Sequence, residues 1–342
     1  MKKRDCYLTN YRDKACLVFK VIFLFLFFLY PVGISEFTMA SSLQAPLHLK
    51  IAAVDGHSTI SMIKMFVEQP SLGENVVAEY ESVRSPDLIA AKAISGEVDF
   101  IIMPTNMGAK LYNKGVPYKM AAVTIWGNLY LVSSQNINTW QDLKGKRIYL
   151  HAQGLTPDVV FRFLLKAHGL NPEKDVKITY LTGPHALAMS FLGGKSKISM
   201  MPEPMLSRVM KRKPNTRIAF DLQKEWQQAT GAPHPGFPQG SIMIKKSILK
   251  DHSNIANRFM DKYKESIAWV NANPEQAARY AEEIGTGMHA SAVQKAIPGC
   301  SLRYVSTLAA KKDLETFFQI LFEFSPETIG DRIPDADFYL QK

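Results

Sequence analysis

The chain has 342 residues, 46% of them hydrophobic and 21% charged, with a formal net charge of +10. That length exceeds a single compact core and implies two domains, while the ordinary balance of apolar and charged residues excludes a disordered or collagen-like chain. The first forty residues carry six basic and three acidic side chains, leaving +7 on the rest without a basic run longer than Lys211, Arg212 and Lys213, so nucleic acid is not an expected partner.

Residues 1–40 read as an export leader. Lys2, Lys3, Arg4, Arg12, Lys14 and Lys20 precede an apolar run over 21–30 that ends at Pro31 and Gly33. A membrane span needs roughly 20 apolar residues, about twice this run, so a signal peptide cleaved near Ala40 is the reading and a periplasmic protein follows. The alternative is a leader retained as a membrane anchor. Cys6 and Cys16 lie in the leader, which leaves Cys300 alone in the mature chain without a disulfide partner. No cysteine follows the apolar core for lipid attachment.

From Leu47 onward, short apolar runs alternate with helical patterns, the mark of an α/β domain with a largely parallel sheet. A strand over 49–54 ends at Asp55, Gly56, His57 and Ser58, ahead of a helix carrying Ile60, Ile63, Met65 and Phe66. Ser85 and Pro86 start the next helix and Gly96 stops it. The strand 98–103 empties into Pro104, Thr105, Asn106 and Met107. A third strand, 120–125, runs into Trp126, Gly127 and Asn128, and the apolar run 129–133 then carries the chain elsewhere, which marks a crossing.

A second set in the same style begins with a strand over 147–150, a loop over 151–156 and a helix opened by Thr156, Pro157 and Asp158 and closed by Gly169. Strand 176–181, a helix start over 183–186, strand 198–201 and a helix from Pro204 follow. Short strands at 217–221 and 241–244 bracket a Pro- and Gly-rich loop over 231–240, suited to a return crossing. Beyond Ser247 the pattern is mainly helical, and the apolar stripes over 254–271 and 311–324 read as core. The expected organisation is one lobe from 47–128 and 241–342 and a second from 129–240.

Enzyme motifs fail on spacing or context. Gly193, Gly194, Lys195 and Ser196 resemble the end of a phosphate-binding loop, but Met189 stands where its first glycine is required, and the stretch closes a helix instead of opening one. His57 and Ser58 follow Gly56, yet a nucleophile elbow needs glycine where Ile60 stands. The eight histidines form no metal-ligand pair on a helix and no cysteine-rich cluster accompanies them, so neither a metal nor a cofactor is expected. Glu282 and Glu283 read as a solvated helix face.

Four stretches together carry a family likeness: Gly96-Glu-Val-Asp-Phe leading to Asn106, Trp140-Gln-Asp-Leu-Lys-Gly-Lys-Arg with its strand, Thr156-Pro-Asp through Gly169-Leu-Asn-Pro, and Met201-Pro-Glu-Pro. In order and spacing the chain resembles the solute-binding proteins of ABC importers in the nitrate, sulfonate, taurine and thiamine-precursor class, over roughly 47–341. The resemblance implies a type II periplasmic-binding fold, two α/β lobes joined by two crossings with ligand held in the cleft. It also implies a monomer that delivers its small-molecule ligand to an ABC permease and its ATPase, without catalysis. The missing lipid-attachment cysteine departs from many relatives. Two other roles stay open, an enzyme on the same fold acting on a pyrimidine-like metabolite and a ligand-sensing lobe for a membrane receptor.

Ligands of open α/β sheets bind beyond the carboxyl ends of the strands. On that rule the first lobe offers Asp55, His57, Thr105 and Asn106, with Trp126 at the crossing as a stacking wall. The second lobe offers Gln153, Gly154, Thr156 and Glu203, and the helix start over 154–158 offers backbone donors. Thr156 and Asn106 read equally well as helix caps, and Trp126 as core. Because these loops hold no Arg or Lys, the expected ligand is a neutral or cationic, flat organic molecule in preference to nitrate or a sulfonate.

Overall fold

A computed structural model describes residues 45–285 and 289–341; the leader expected over 1–40, with Cys6 and Cys16, lies outside the described residues. Eleven strands form two sheets: β1 (Leu47–Val54), β2 (Val76–Val83), β3 (Phe100–Pro104), β4 (Tyr118–Ile125), β5 (Leu129–Ser133), β6 (Arg147–Leu150), β7 (Lys177–Tyr180), β8 (Ile198–Pro202), β9 (Arg217–Asp221), β10 (Gly240–Lys245) and β11 (Leu302–Ser306). The first sheet runs β11-β4-β10-β3-β1-β2 and the second β7-β6-β8-β5-β9. The result is a two-lobed, mixed α/β fold.

The sheets are less parallel than the sequence pattern implies. β1 pairs in parallel with β2 and β3, and β6 with β7 and β8. The strands that follow a crossing run the other way: β5 is antiparallel to β8 and β9, and β10 is antiparallel to β3 and β4. A strand that enters its sheet from the opposite lobe arrives at the end where its neighbours finish, so it runs against them.

Central strands are apolar on both faces because each face is covered, and they therefore read as continuous hydrophobic runs. Phe100, Ile102, Ile242 and Ile244 pack on one face with Phe259 and Tyr263 of the helix Ser253–Ala272. Ile101, Met103 and Met243 face the other way, into a core that includes Trp226, Phe237 and Phe317. The edge strand β2 alternates half-buried and exposed positions along its length, and it escapes the apolar pattern because Glu79 and Glu81 dilute its signal. β11 escapes it too, hidden within the mainly helical region beyond Ser247. It pairs with β4 far along the chain, a long-range contact that no local pattern encodes.

Two short segments join the sheets: residues 126–128 between β4 and β5, and the loop 231–239 that leads from the helix Leu222–Thr230 into β10. Their packing is tight. Gly236 has φ +90°, and a Cβ there would sit 2.0 Å from the carbonyl oxygen of Trp126. No helix among the described residues is long and apolar enough to cross a membrane.

Candidate functional site

The carboxyl ends of β1, β3, β6 and β8 each open into a helix or turn that carries residues expected in the site. Side chains from the two lobes meet there in two rows. In the first, His57 begins the short helix His57–Ser61, and its Nδ1 lies 3.1 Å from Asn128 Nδ2 at the crossing. The same Asn128 nitrogen donates to the Glu203 carbonyl at 3.4 Å, and Tyr130 OH donates to the Gly299 carbonyl at 3.2 Å. In the second row, Ser325 Oγ donates to the Gly154 carbonyl at 2.8 Å, while Asn106 Nδ2 donates to the Thr328 carbonyl at 3.4 Å. A turn near the carboxyl terminus thus links a first-lobe helix start to the second-lobe loop.

Several expected residues have duties inside the protein. Asp55 Oδ1 accepts from the Gly56 N–H at 2.8 Å, closing its own turn. Gln153 is exposed and its side chain bonds to no described residue. The Gly154 N–H, expected to face a ligand, donates instead to Asp158 Oδ2 at 2.8 Å; the acid in the first helical turn reaches back to an orphan donor, as in a capping box. Asp158 is itself buried, and it also accepts from Arg162 Nε at 2.9 Å and Tyr180 OH at 2.8 Å. Burial pulls the Arg162 guanidinium down, yet the Tyr180 hydroxyl and the Asp158 carboxylate together hold it above its ordinary range.

Trp126 is fully buried. Its Nε1 donates to the Arg303 carbonyl at 3.0 Å, its ring centre lies 5.0 Å from that of His234, and the Arg303 guanidinium stands 4.8 Å from it. In this arrangement the indole anchors the crossing, and no open face is left to stack a ligand. Glu203, expected to need a ligand to offset its burial, has protein partners: Oε2 accepts from the Ser207 N–H at 3.0 Å and Oε1 from Ser207 Oγ at 2.9 Å. Burial still raises its carboxyl above the usual range, against those two bonds.

Other polar atoms remain without a protein partner although buried. Thr105 Oγ1 and Thr156 Oγ1 stand at the starts of the helices Thr105–Asn113 and Thr156–Ala167, one in each lobe. Thr156 does not cap its helix, because that position falls one residue earlier at Leu155. Asn128 Oδ1, His151 Nδ1 and Ser241 Oγ share this condition. Such groups cost about 1–3 kcal/mol each when unpaired, and those at strand ends and helix starts are candidates for contact with a polar ligand or ordered water. Both histidines are kept neutral by burial, His57 down to about 4 and His151 also below its ordinary value.

Sequence reasoning passes over Asn128, His151, Asp158, Ser241 and Ser325. Asn128 carries a usable signal, a polar residue directly after a glycine at a crossing. Ser325 carries none, since it reaches Gly154 from 171 positions away. Among the described residues no cluster of His, Cys, Asp and Glu is arranged to hold a metal.

Solved structures with this architecture include ABC transporter and periplasmic binding proteins. An ABC transporter protein from Parabacteroides distasonis is 27% identical, covering 86% of this chain and 99% of its own, at a TM-score of 0.74. The periplasmic aliphatic sulphonate-binding protein SsuA from Escherichia coli is 15% identical over 87% of this chain and 93% of its own, at 0.70, a likeness of fold alone. YtlA of Bacillus subtilis (strain 168), named as a binding protein, is 24% identical over 152 residues, which span 44% of this chain and 43% of that curated relative. A family model described as menaquinone biosynthesis matches residues 62–323, and the chain belongs to that family.

Proposed function

We propose that the chain is the solute-binding component of an ABC-type importer: exported to the periplasm, it captures a small organic molecule between its lobes and presents it to a membrane permease driven by an ATPase. The observation that carries this reading is the set of buried polar atoms without protein partners, Thr105 and Thr156 at helix starts that follow strands of opposite sheets and Asn128 at the crossing. Lobe one comprises 47–128 and 241–342 and lobe two 129–240, with His57, Thr105, Asn106, Thr156 and Glu203 lining the cleft. Binding and closure are one event, because the interlobe bonds from Ser325 to Gly154 and from Tyr130 to Gly299 form only with the lobes together.

The test is thermal unfolding of the purified protein against a metabolite panel that includes pyrimidines, thiamine precursors, polyamines, taurine and nitrate. Ligand at a hundred times its Kd adds about 2.7 kcal/mol, a midpoint shift of several degrees. A second reading, favoured by the family match, is a catalyst acting on a menaquinone precursor in the same cleft. Mass spectrometry of the stabilising compound after prolonged incubation separates the two: unchanged compound supports the carrier, and a new mass supports the catalyst.

A further inference from the structure

Leu206 and Val209 root the helix Met205–Arg212 in a core shared with Val132 of β5 and Met201 of β8. Val293 and Ala296 root the helix Ala290–Ala296 in the core of the other sheet, with Ile51 of β1 and Ile125 of β4. The two helices pack against each other, so elements anchored in opposite sheets border a common cavity of 460 Å³. Met205, Ala292 and Val293, half-buried or buried, give that cavity an apolar wall, and the exposed side chains of Arg208, Lys211, Arg212 and Lys295 line it as well.

No Asp or Glu lines this cavity, and among the described residues none of the four cations forms an ion pair. Glu282 and Glu283, at the end of the neighbouring helix Pro274–Glu283, stay outside it. Glu203 reaches it only through Ser207, whose N–H and hydroxyl occupy both carboxylate oxygens. One such acid against four cations leaves the cavity positive. Arg208, Lys211 and Arg212 are spaced three and four apart and share a helix face, where like charges repel. The helix dipole favours Lys211 and Arg212 in the last turn, but it accounts for neither Arg208 nor Lys295 on the opposing helix. With the sheets together, Lys295 adds to the same positive field, and that repulsion strengthens as the charges approach and as apolar walls displace water.

We propose that this cavity binds a small polyanion carrying two or more carboxylate or phosphate groups, which bridges the two helices. Arg208 and Arg212 supply forked donors that match either group, and Lys211 and Lys295 supply point charges from the two sides. The polyanion relieves the repulsion between the helices it joins. This site goes beyond the capture of a solute at the strand ends, whose loops hold no Arg or Lys, and it does not depend on which solute they take.

Calorimetry on the purified protein at low ionic strength tests it with tricarballylate, pyrophosphate and, as a monoanion, butyrate. At least one polyanion should bind with one-to-one stoichiometry, more tightly than butyrate, and its affinity should fall as salt is added; the tighter of the two identifies carboxylate or phosphate as the preferred group. Arg208→Gln and Lys295→Gln, from opposing helices, should each weaken binding about tenfold. Lys250→Gln removes the same charge at an exposed position outside the cavity and should leave affinity unchanged. Failure of both polyanions to bind, butyrate binding as tightly as they do, an equal loss in all three variants, or full affinity in Lys295→Gln overturns the inference. So does binding of hexaglutamate with neither small polyanion bound, which assigns the groove to an acidic segment of a partner protein. Each of these results leaves the strand-end site to be judged by the metabolite panel alone.

Discussion

Asp158 offers the sharpest test of how the second-lobe loop is held. Its side chain is 3% exposed and receives three hydrogen bonds, from the Gly154 N–H, Arg162 Nε and Tyr180 OH. Asp158→Asn keeps the shape and removes the charge, and one head of the new amide becomes a donor facing other donors. Breaking a buried ion pair from one side costs about 3–5 kcal/mol. Arg162 is 20% exposed and retains Glu173 and Tyr180, which places the expected loss near the lower end, about 3 kcal/mol. Urea unfolding of Asp158→Asn against the parent measures it. Arg162→Met combined with Asp158→Asn should cost less than Arg162→Met in the parent, since the charge it leaves behind is already gone. A loss below about 1 kcal/mol, or strictly additive effects in the double variant, would refute the claim that this network sets the loop.

Three further outcomes follow from the same physics. Gly236→Ala places a Cβ 2.0 Å from the Trp126 carbonyl at a positive φ, so it should destabilise by about 3 kcal/mol or more, read from the thermal midpoint; a silent substitution would show that the crossing is loosely packed. His57 is held down to about 4 from 6.5. The unfolded chain therefore binds its proton first, and the associated stability is fully present above pH 6.5 and lost on acidification toward pH 4, at most about 3 kcal/mol. His57→Gln should flatten that slope in a series of midpoints against pH. For Glu203 the sign is opposite: with the folded carboxyl raised above the ordinary 4.5, stability falls as pH rises through that window and the penalty is complete above the folded value. Glu203→Gln should gain on the parent as pH increases there, and a constant difference from about pH 4 to 8 would contradict the burial argument.

Much of the architecture was open to reading in the chain alone. Central strands such as β3 and β8 are short apolar runs closed by helix-start residues, and Ser85 with Pro86 begins the helix Pro86–Ile94 as its residue types require, the Ser85 side chain accepting from the Leu88 N–H. These features are local: turn chemistry and burial on both faces leave their mark within a few positions. The positions of His57, Thr105, Thr156 and Glu203 at strand ends follow from the same rule. What each side chain does there was decided by tertiary partners. Asp158 takes the Gly154 amide, Ser207 takes the Glu203 carboxylate, and Arg303 and His234 close over Trp126, converting three expected ligand contacts into internal ones. Asn128 gained its place for the converse reason. Its neighbours His57 and Glu203 stand 71 and 75 positions away, and only the meeting of two lobes at a crossing brings an imidazole, an amide and a carbonyl into line, a juxtaposition that no short stretch of sequence specifies.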